Sequence, residues 1–345
     1  MSEDQKKYDA IEPGQNYEID LFRPEDAEGV SRLFRTVYGD SYPIQKFLKP
    51  QLIIEENAAG RTISSVARTP KGDIVGHTAL FRSAPYDRIY ESGAGLVHPA
   101  YRGGKGIFTG LGVHGEEVAA KEFDIELIYG EPVCNYPFAQ KATASAGWIT
   151  QAIEVDLMPA SAYIQEKSAS GRVACLLDFK TLKPKPHAVY LPAVYEESMR
   201  FIYSALDDDR DLVLSRGELP SPVKTEIKAQ VFDFAQVARL AVHEAGPDFE
   251  SAFDDQDKKV QEKGVVVLQV WLKLSWPWIS RVVNILRKRG YFLGGILPRW
   301  FDVDGMLMQK IIGQPNWEGI QLYSDRAKMI LEIVRPDWQR LGRDI

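Results

Sequence analysis

Between Val97 and Leu111 the chain reads Val-His-Pro-Ala-Tyr-Arg-Gly-Gly-Lys-Gly-Ile-Phe-Thr-Gly-Leu, with a strand-like run before it and a helical run, ending near Lys121, after it. This stretch limits the fold more than any other. Glycine has no Cβ, so the backbone at Gly103, Gly104 and Gly106 can bend sharply and lie close to a ligand. The first turn of the helix that follows has unpaired N–H groups and the positive end of its dipole, an arrangement suited to a diphosphate. Arg102 and Lys105 add positive charge beside it. A dinucleotide fingerprint would need this loop in an early βαβ unit with an acid about 20 residues on, but three strands in hairpin-like order precede it here. A Walker A loop needs Gly-Lys-Ser/Thr, and Gly104-Lys105 is followed by Gly106.

The flanking pattern gives the rest of the first half. Tyr17–Leu21 alternates like a half-buried strand, and Arg23-Pro24-Glu25-Asp26 opens a helix with an apolar face of Val30, Leu33, Phe34 and Val37 and a stop at Gly39. Ile63–Arg68 and Ile74–Arg82 flank the turn residues Thr69–Asp73 as a hairpin. Ile89–Val97 is the third strand of this group. Beyond the loop come a strand at about Ile125–Tyr129, a helix at about Pro137–Ala146 and a strand near Ile153–Leu157. This order predicts an α/β (α+β) fold, a mixed and mostly antiparallel sheet flanked by helices. The expected domains are a polar tail at 1–15, a first domain at 16–160, a linker at 161–188 and a second domain at 189–345. The linker rests on Ser168-Ala169-Ser170-Gly171 and Lys183-Pro184-Lys185-Pro186, with Val173–Leu177 as a short strand inside it.

Val97-His98-Pro99, Tyr101-Arg102-Gly103 and Gly106-Ile107 resemble the pyrophosphate motif of the GNAT superfamily of N-acyltransferases, and the resemblance covers about residues 16–160 in element order as well. It departs from the motif in one extra glycine and in Phe108, which stands where a small residue is usual. The resemblance implies the acyl-CoA N-acyltransferase fold and a cofactor, acetyl-CoA or another acyl-CoA, held by Arg102, Gly103, Gly104, Lys105, Gly106, Ile107 and Phe108. The pantetheine arm would pair with backbone near Leu96 and Val97, and Asn135 would touch it. It also implies a base on the strand before the loop. Glu91 falls there, and unbroken alternation would put it on one face with Gly93, Gly95 and Val97. The family's acid is commonly a tyrosine four residues before a Gly-Phe pair; here the pair is Gly147-Trp148 and that residue is Thr143. Tyr136 and Cys134, at the strand-to-helix crossing, are the substitutes, and a phenol with a pKa of about 10 would protonate a thiolate.

In the second half, Gly264–Leu274, Trp276–Gly290, Tyr291–Leu297 and Met306–Ile311 repeat the strand-helix-strand-strand end of the first. No glycine-rich loop precedes them, and Asp254-Asp255 would repel a diphosphate, so the second half reads as a degenerate GNAT-like copy without its own CoA site. Other expected elements are a helix at Tyr195–Leu206, a strand at Glu226–Phe234 and a final helix capped by Ser324. Six of the seven tryptophans lie between Trp271 and Trp338. They read mostly as core, with Trp276, Trp278 and Trp300 as candidates to line an acceptor or acyl pocket facing the first domain.

A net charge of -6 gives no general attraction to nucleic acid. Two cysteines, Cys134 and Cys175, make no disulfide framework, and His77, His98 and His114 have no metal-ligand spacing, so no metal is expected. A charged start without an apolar stretch, and no long apolar run, point to a cytoplasmic chain with no membrane span. The expected activity is acyl transfer by direct attack of an amine on the thioester, with a small-molecule amine or amino acid as acceptor and acetyl as the acyl group. An acyl-CoA-binding sensor without turnover and a long-chain N-acyl amino acid synthase are the alternatives. Oligomeric state stays open.

Overall fold

The computed structural model describes residues 11–40, 42, 44–104, 106–163 and 171–341, so Lys105, residues 1–10 of the expected tail and residues 164–170 of the expected linker lie outside the described residues. The chain divides into two compact units, Met1–Ile128 and Tyr129–Ile345.

Unit one contains β1 (Glu18–Leu21), α1 (Ala27–Tyr38), α2 (Pro50–Ala58), β2 (Thr62–Arg68), β3 (Ile74–Phe81), β4 (Ile89–Val97) and α3 (Ile107–His114). A π turn at Gly115–Ala119 and a short helical turn to Glu122 carry α3 onward. β5 (Leu127–Gly130) spans the division between the units. Strands β1 to β4 lie in chain order and are antiparallel throughout. Thr69 N–H donates to the Asp73 carbonyl at 2.9 Å and closes the β2–β3 hairpin at the expected turn. One sheet face packs Val66, Ala79 and Leu96 on Phe34, Phe47 and Ile53 around α1 and α2. The other packs Ala67, Val75 and Val97 on Ile107 and Leu111 of α3. Ile11 is buried in this second cluster, so the expected polar tail contains a core residue. Arg68 is held by a two-point bond to Asp26, Nε to Oδ1 at 2.8 Å and Nη2 to Oδ2 at 2.6 Å, which ties β2 to the start of α1.

Unit two contains α4 (Phe138–Ser145), β6 (Ile149–Met158), β7 (Val173–Thr181), β8 (His187–Leu191), α5 (Glu196–Tyr203), β9 (Arg210–Leu214), β10 (Glu226–Phe232), β11 (Val237–Glu244), α6 (Phe249–Gln261), β12 (Val267–Lys273), α7 (Ile279–Lys288), β13 (Phe292–Leu297), β14 (Gly305–Ile311) and α8 (Asp325–Gln339). Its main sheet runs β7-β6-β13-β14-β12-β11-β10, while β8 and β9 form a separate parallel pair. β11 and β12 are parallel, while β10–β11, β12–β14, β13–β14, β6–β13 and β6–β7 are antiparallel.

Two expectations about the division of the chain are corrected here. Residues 161–188 are not a linker through their described part: Val173–Thr181 is a full strand, antiparallel to β6, with Val173 to Phe179 all buried. The domains likewise do not divide at 160 and 189, because β6 pairs with β13 at Ala152–Gly295 and so joins the second half's sheet. Gly295 makes that approach possible: its φ is +141°, and a Cβ there would stand 2.3 Å from the Gln151 carbonyl oxygen. The strands and helix expected in this stretch form as β12-α7-β13-β14, with β14 between β13 and β12.

β6 carries a local departure that has an energetic consequence. Asp156 lies in the left-handed region, at φ +56°, where the pairing of β6 with β7 loses register. Both of its carboxylate oxygens accept the Asn316 N–H, at 3.1 and 3.2 Å. Burial raises its pKa to about 6, against the lowering effect of the Asn316 bond and the Arg172 charge. A carboxyl whose folded pKa is raised favours the folded state only once protonated, so this group's contribution to stability grows as pH falls from about 6.5 towards 4. Asp156→Asn keeps an acceptor and tolerates the left-handed backbone. It should stabilise the protein by about 1–2 kcal/mol at pH 7 and flatten the pH dependence in that window, as read by urea unfolding at several pH values.

Candidate active site

The site starts in β4. Opposite Thr78 of β3, two residues of β4, Ala94 and Gly95, stand where one would, since Gly93 pairs with Ala79 and Leu96 with His77. This is a β-bulge, and it puts Ala94 at φ +51°, an uncommon backbone conformation for a residue with a side chain. His77 holds it. The buried imidazole lies 2.9 Å from the Ala94 carbonyl through Nδ1, so Nδ1 carries the hydrogen and donates, while Nε2 accepts from Ser64 Oγ at 3.0 Å. Burial lowers the His77 pKa to about 4, which keeps the ring neutral near pH 7. Asn57 of α2 accepts the Ser64 N–H at 2.8 Å and anchors the far end of this chain of bonds.

The bulge corrects the expected face sharing. Beyond it the alternation shifts by one residue, so Glu91 and Gly93 share a face with Leu96 rather than with Val97. Accordingly, Leu96 packs on the α1–α2 side and Val97 on the α3 side. Glu91 is half-buried, and Oε2 accepts from Ser83 Oγ at 2.8 Å. Its charge is felt by Tyr42 and Lys46, both otherwise shifted mainly by burial.

After β4, a short turn at Pro99–Tyr101 precedes the loop. Tyr101 is buried, and its hydroxyl donates to the Glu12 carbonyl at 2.6 Å and accepts the Gln15 N–H at 3.2 Å, which pins the base of the loop. Arg102 Nε donates to the Val97 carbonyl at 3.0 Å, so this guanidinium also braces the loop from within. Gly103, Gly104 and Gly106 have φ of +87°, +100° and +69°. A Cβ added at any of them would meet nothing within 4 Å. The main chain at these three glycines therefore borders open space. Gly106 is the cap of α3, and the first bond of that helix runs from Gly110 N–H to the Gly106 carbonyl at 2.8 Å. The N–H groups of Ile107, Phe108 and Thr109 accordingly have no acceptor within the helix. Ile107 points its side chain into the core, while Phe108 is half exposed and its ring comes within 2.9 Å of where a Cβ on Gly95 would stand.

The remaining candidates belong to unit two. Tyr136 is exposed and stacks on Phe138 with ring centroids 6.3 Å apart. Asn135 is buried. The Cys134 thiol is buried in the apolar core, and burial drives its pKa upward. Thr143 has a different task from the tyrosine expected at its place. Its hydroxyl donates to Asp178 at 2.5 Å, and Thr150 donates to the other oxygen at 2.6 Å, together satisfying a buried carboxylate. Trp276 is buried and stacks on Trp278, and Trp300 is buried against Tyr129, Phe179 and Trp271, so these rings are core within their own unit.

The residues that sequence reasoning missed are Ala94 and Ser83, together with the parts played by His77 and Tyr101. A bulge leaves almost no trace in a strand pattern; its one visible sign is the pair of glycines around Ala94.

Among the described residues no helix is long and apolar enough to cross a membrane. No family model matches the sequence, and no curated protein matches it. Solved structures do. The ribosomal-protein-S5-alanine acetyltransferase of Vibrio fischeri is 15% identical, with 50% of this chain and 97% of that one covered and a TM-score of 0.38. An N-acetyltransferase of Staphylococcus aureus Mu50 is 14% identical, with 49% and 99% covered and a TM-score of 0.40. The yncA protein of Salmonella typhimurium, solved with its cofactor acetyl-CoA, is 17% identical, with 49% and 96% covered and a TM-score of 0.38. This chain is thus similar over about half its length to acetyltransferases, each of which is about half as long.

Proposed function

We propose that this chain is an acyl-CoA-dependent N-acyltransferase of the GNAT type, and that acetyl-CoA is the donor and the primary amine of a small molecule or amino acid the acceptor. The observation that carries this reading is the open surroundings of Gly103, Gly104 and Gly106, three left-handed glycines ahead of the first turn of α3. Their outward main chain and the end of the helix dipole are complementary to a diphosphate. The amine nitrogen attacks the thioester carbonyl, the C–S bond breaks, the amine loses a proton to Glu91, and the departing thiolate takes one from water. The bulge at Ala94, held by neutral His77, fixes the β4 backbone on which the thioester would lie. The unbroken parallel pairing of β11 with β12, from Val237–Val267 to Ala241–Trp271, leaves no slot for a pantetheine arm between them and supports a degenerate second copy.

One observation favours the sensor reading: Thr143 fills the place expected for the acid and is committed to Asp178. Turnover separates the two. Thiol release from acetyl-CoA is measured against a panel of amines, amino acids included. Enzymatic release is expected; binding of acetyl-CoA with no release across the panel supports the sensor instead. Glu91→Gln should lower kcat by about 100-fold or more and erase the acidic limb of the pH profile. An unchanged profile would remove Glu91 as the base.

A further inference from the structure

Unit two has a cleft of about 860 Å³ along the exposed side of α7. Arg281, Asn284, Ile285 and Lys288 follow one another at helical spacing and form a single stripe along it. Arg287 and Arg340 also line the cleft, Leu219 and Pro247 give it an apolar wall, and Glu218 is its one lining carboxylate. Four cations thus face one acid.

Two of these cations are held in place from behind. Arg340 Nε donates to Asp337 Oδ1 at 2.6 Å, and its Nη2 donates to the Tyr291 carbonyl at 2.8 Å. Arg287 Nη2 stands 3.6 Å from the same Asp337 oxygen, and its guanidinium lies 5.2 Å over the Tyr195 ring. The other Asp337 oxygen accepts the Tyr195 hydroxyl at 2.6 Å and the Leu293 N–H at 2.8 Å. Asp337 is therefore fixed by β13 and by the turn before α5, and it fixes the two guanidiniums in turn. Arg287 Nε is buried without a hydrogen-bond partner among the described residues. Arg281 pairs only with exposed Glu218, a contact that a ligand displaces at little cost. Lys288 is exposed and has no ion pair among the described residues.

We propose that this cleft binds the phosphate groups of a phosphorylated small molecule, with Ile285, Leu219 and Pro247 against its apolar part. Held guanidinium forks match phosphate oxygens in pairs, and an exposed lysine adds a point charge beside them. A cleft of this size is in the range of small-molecule sites. The proposal shares no residue with the glycine loop and does not depend on the acyltransferase reading.

The test is calorimetric titration of the full chain with ADP and with inorganic pyrophosphate at low salt. Gly106→Val serves as the background, so that the glycine loop contributes nothing. Saturable binding is expected, with ADP tighter than pyrophosphate because the apolar wall engages it. Arg281→Glu combined with Lys288→Glu, both exposed changes, should weaken ADP by roughly thirtyfold or more with an unchanged melting temperature. ADP affinity that survives the double substitution, or no saturation by about 10 mM of either ligand, overturns the site. If the acyltransferase reading fails, Gly106→Val leaves acetyl-CoA binding as it was, and the effect of the double substitution still decides the cleft.

Discussion

Replacing Gly106 with valine should abolish acyl-CoA binding while leaving the fold in place. Gly106 sits at φ +69° and ψ 4° as the cap of α3, and nothing lies within 4 Å of an added Cβ. Protein atoms therefore do not resist the side chain. The fold loses only the backbone strain of a β-branched residue in the left-handed region, about 1–2 kcal/mol. A ligand on the loop would meet the new side chain directly and would lose the close approach to the main chain. A loss of roughly 100-fold in affinity, about 3 kcal/mol, is the expected floor in a calorimetric titration with acetyl-CoA. Gly60→Val is the matched control, since Gly60 has φ +64° and equally open surroundings but ends α2. It should cost similar stability and leave affinity unchanged. Equal losses in both variants would mean that the loop is only a turn.

The second large effect is on stability. Asp304 is fully buried and accepts from Arg210 Nε at 2.7 Å, the Tyr203 hydroxyl at 2.9 Å and the Arg299 N–H at 2.8 Å. Arg210 is itself almost wholly buried and also pairs with Asp208 at 2.7 Å. Removing the shared carboxylate takes from a buried guanidinium one of its two acids and leaves the Tyr203 hydroxyl and the Arg299 N–H without this acceptor. Asp304→Ala should therefore cost about 3–5 kcal/mol. For a unit of this size that is a fall of roughly 10 °C in melting temperature. Burial by itself would raise the pKa of Asp304, but the bonds from His187 and Arg210 and the Arg210 charge outweigh it and hold the value at about 2. A depressed carboxylate stabilises the fold above its unfolded pKa, so this contribution is complete above about pH 4 and disappears as pH falls through 2. The variant should lose that acid-range slope. A melting curve within a degree or so of the parent would show that the cluster is not holding β9 to the β13–β14 turn.

Where local chemistry decides the structure, the sequence was readable. The Thr69–Asp73 turn closes its hairpin, Gly39 ends α1, and Ser324 caps α8 by accepting the Ala327 N–H at 3.1 Å. The loop at 103–106 also belongs here, because left-handed glycines before a helix announce themselves. What stayed hidden depends on contacts made far along the chain. Val173–Thr181 looked like part of a linker because Ser168–Gly171 and Lys183–Pro186 flank it, yet pairing with β6 and burial on both faces make it a strand. α2 offers Pro50 in its first turn, but only Ile53 of its side chains is buried, so its apolar stripe is too short to notice. β11 has a similar difficulty: Arg239 lies between buried neighbours and breaks the apolar run. In the site, Glu91 was found from its distance to the loop, but its face was not, since the bulge at Ala94 moves every residue beyond it across the sheet.

The central claim is that main-chain amides between Gly103 and Phe108 grip a diphosphate, and a crystal of the full chain grown with CoA tests it most directly. The expected result is both phosphates within hydrogen-bond distance of those N–H groups, with the thiol arm running along β4 past Ala94. Ordered CoA bound elsewhere in the molecule, with nothing on the loop, would contradict it.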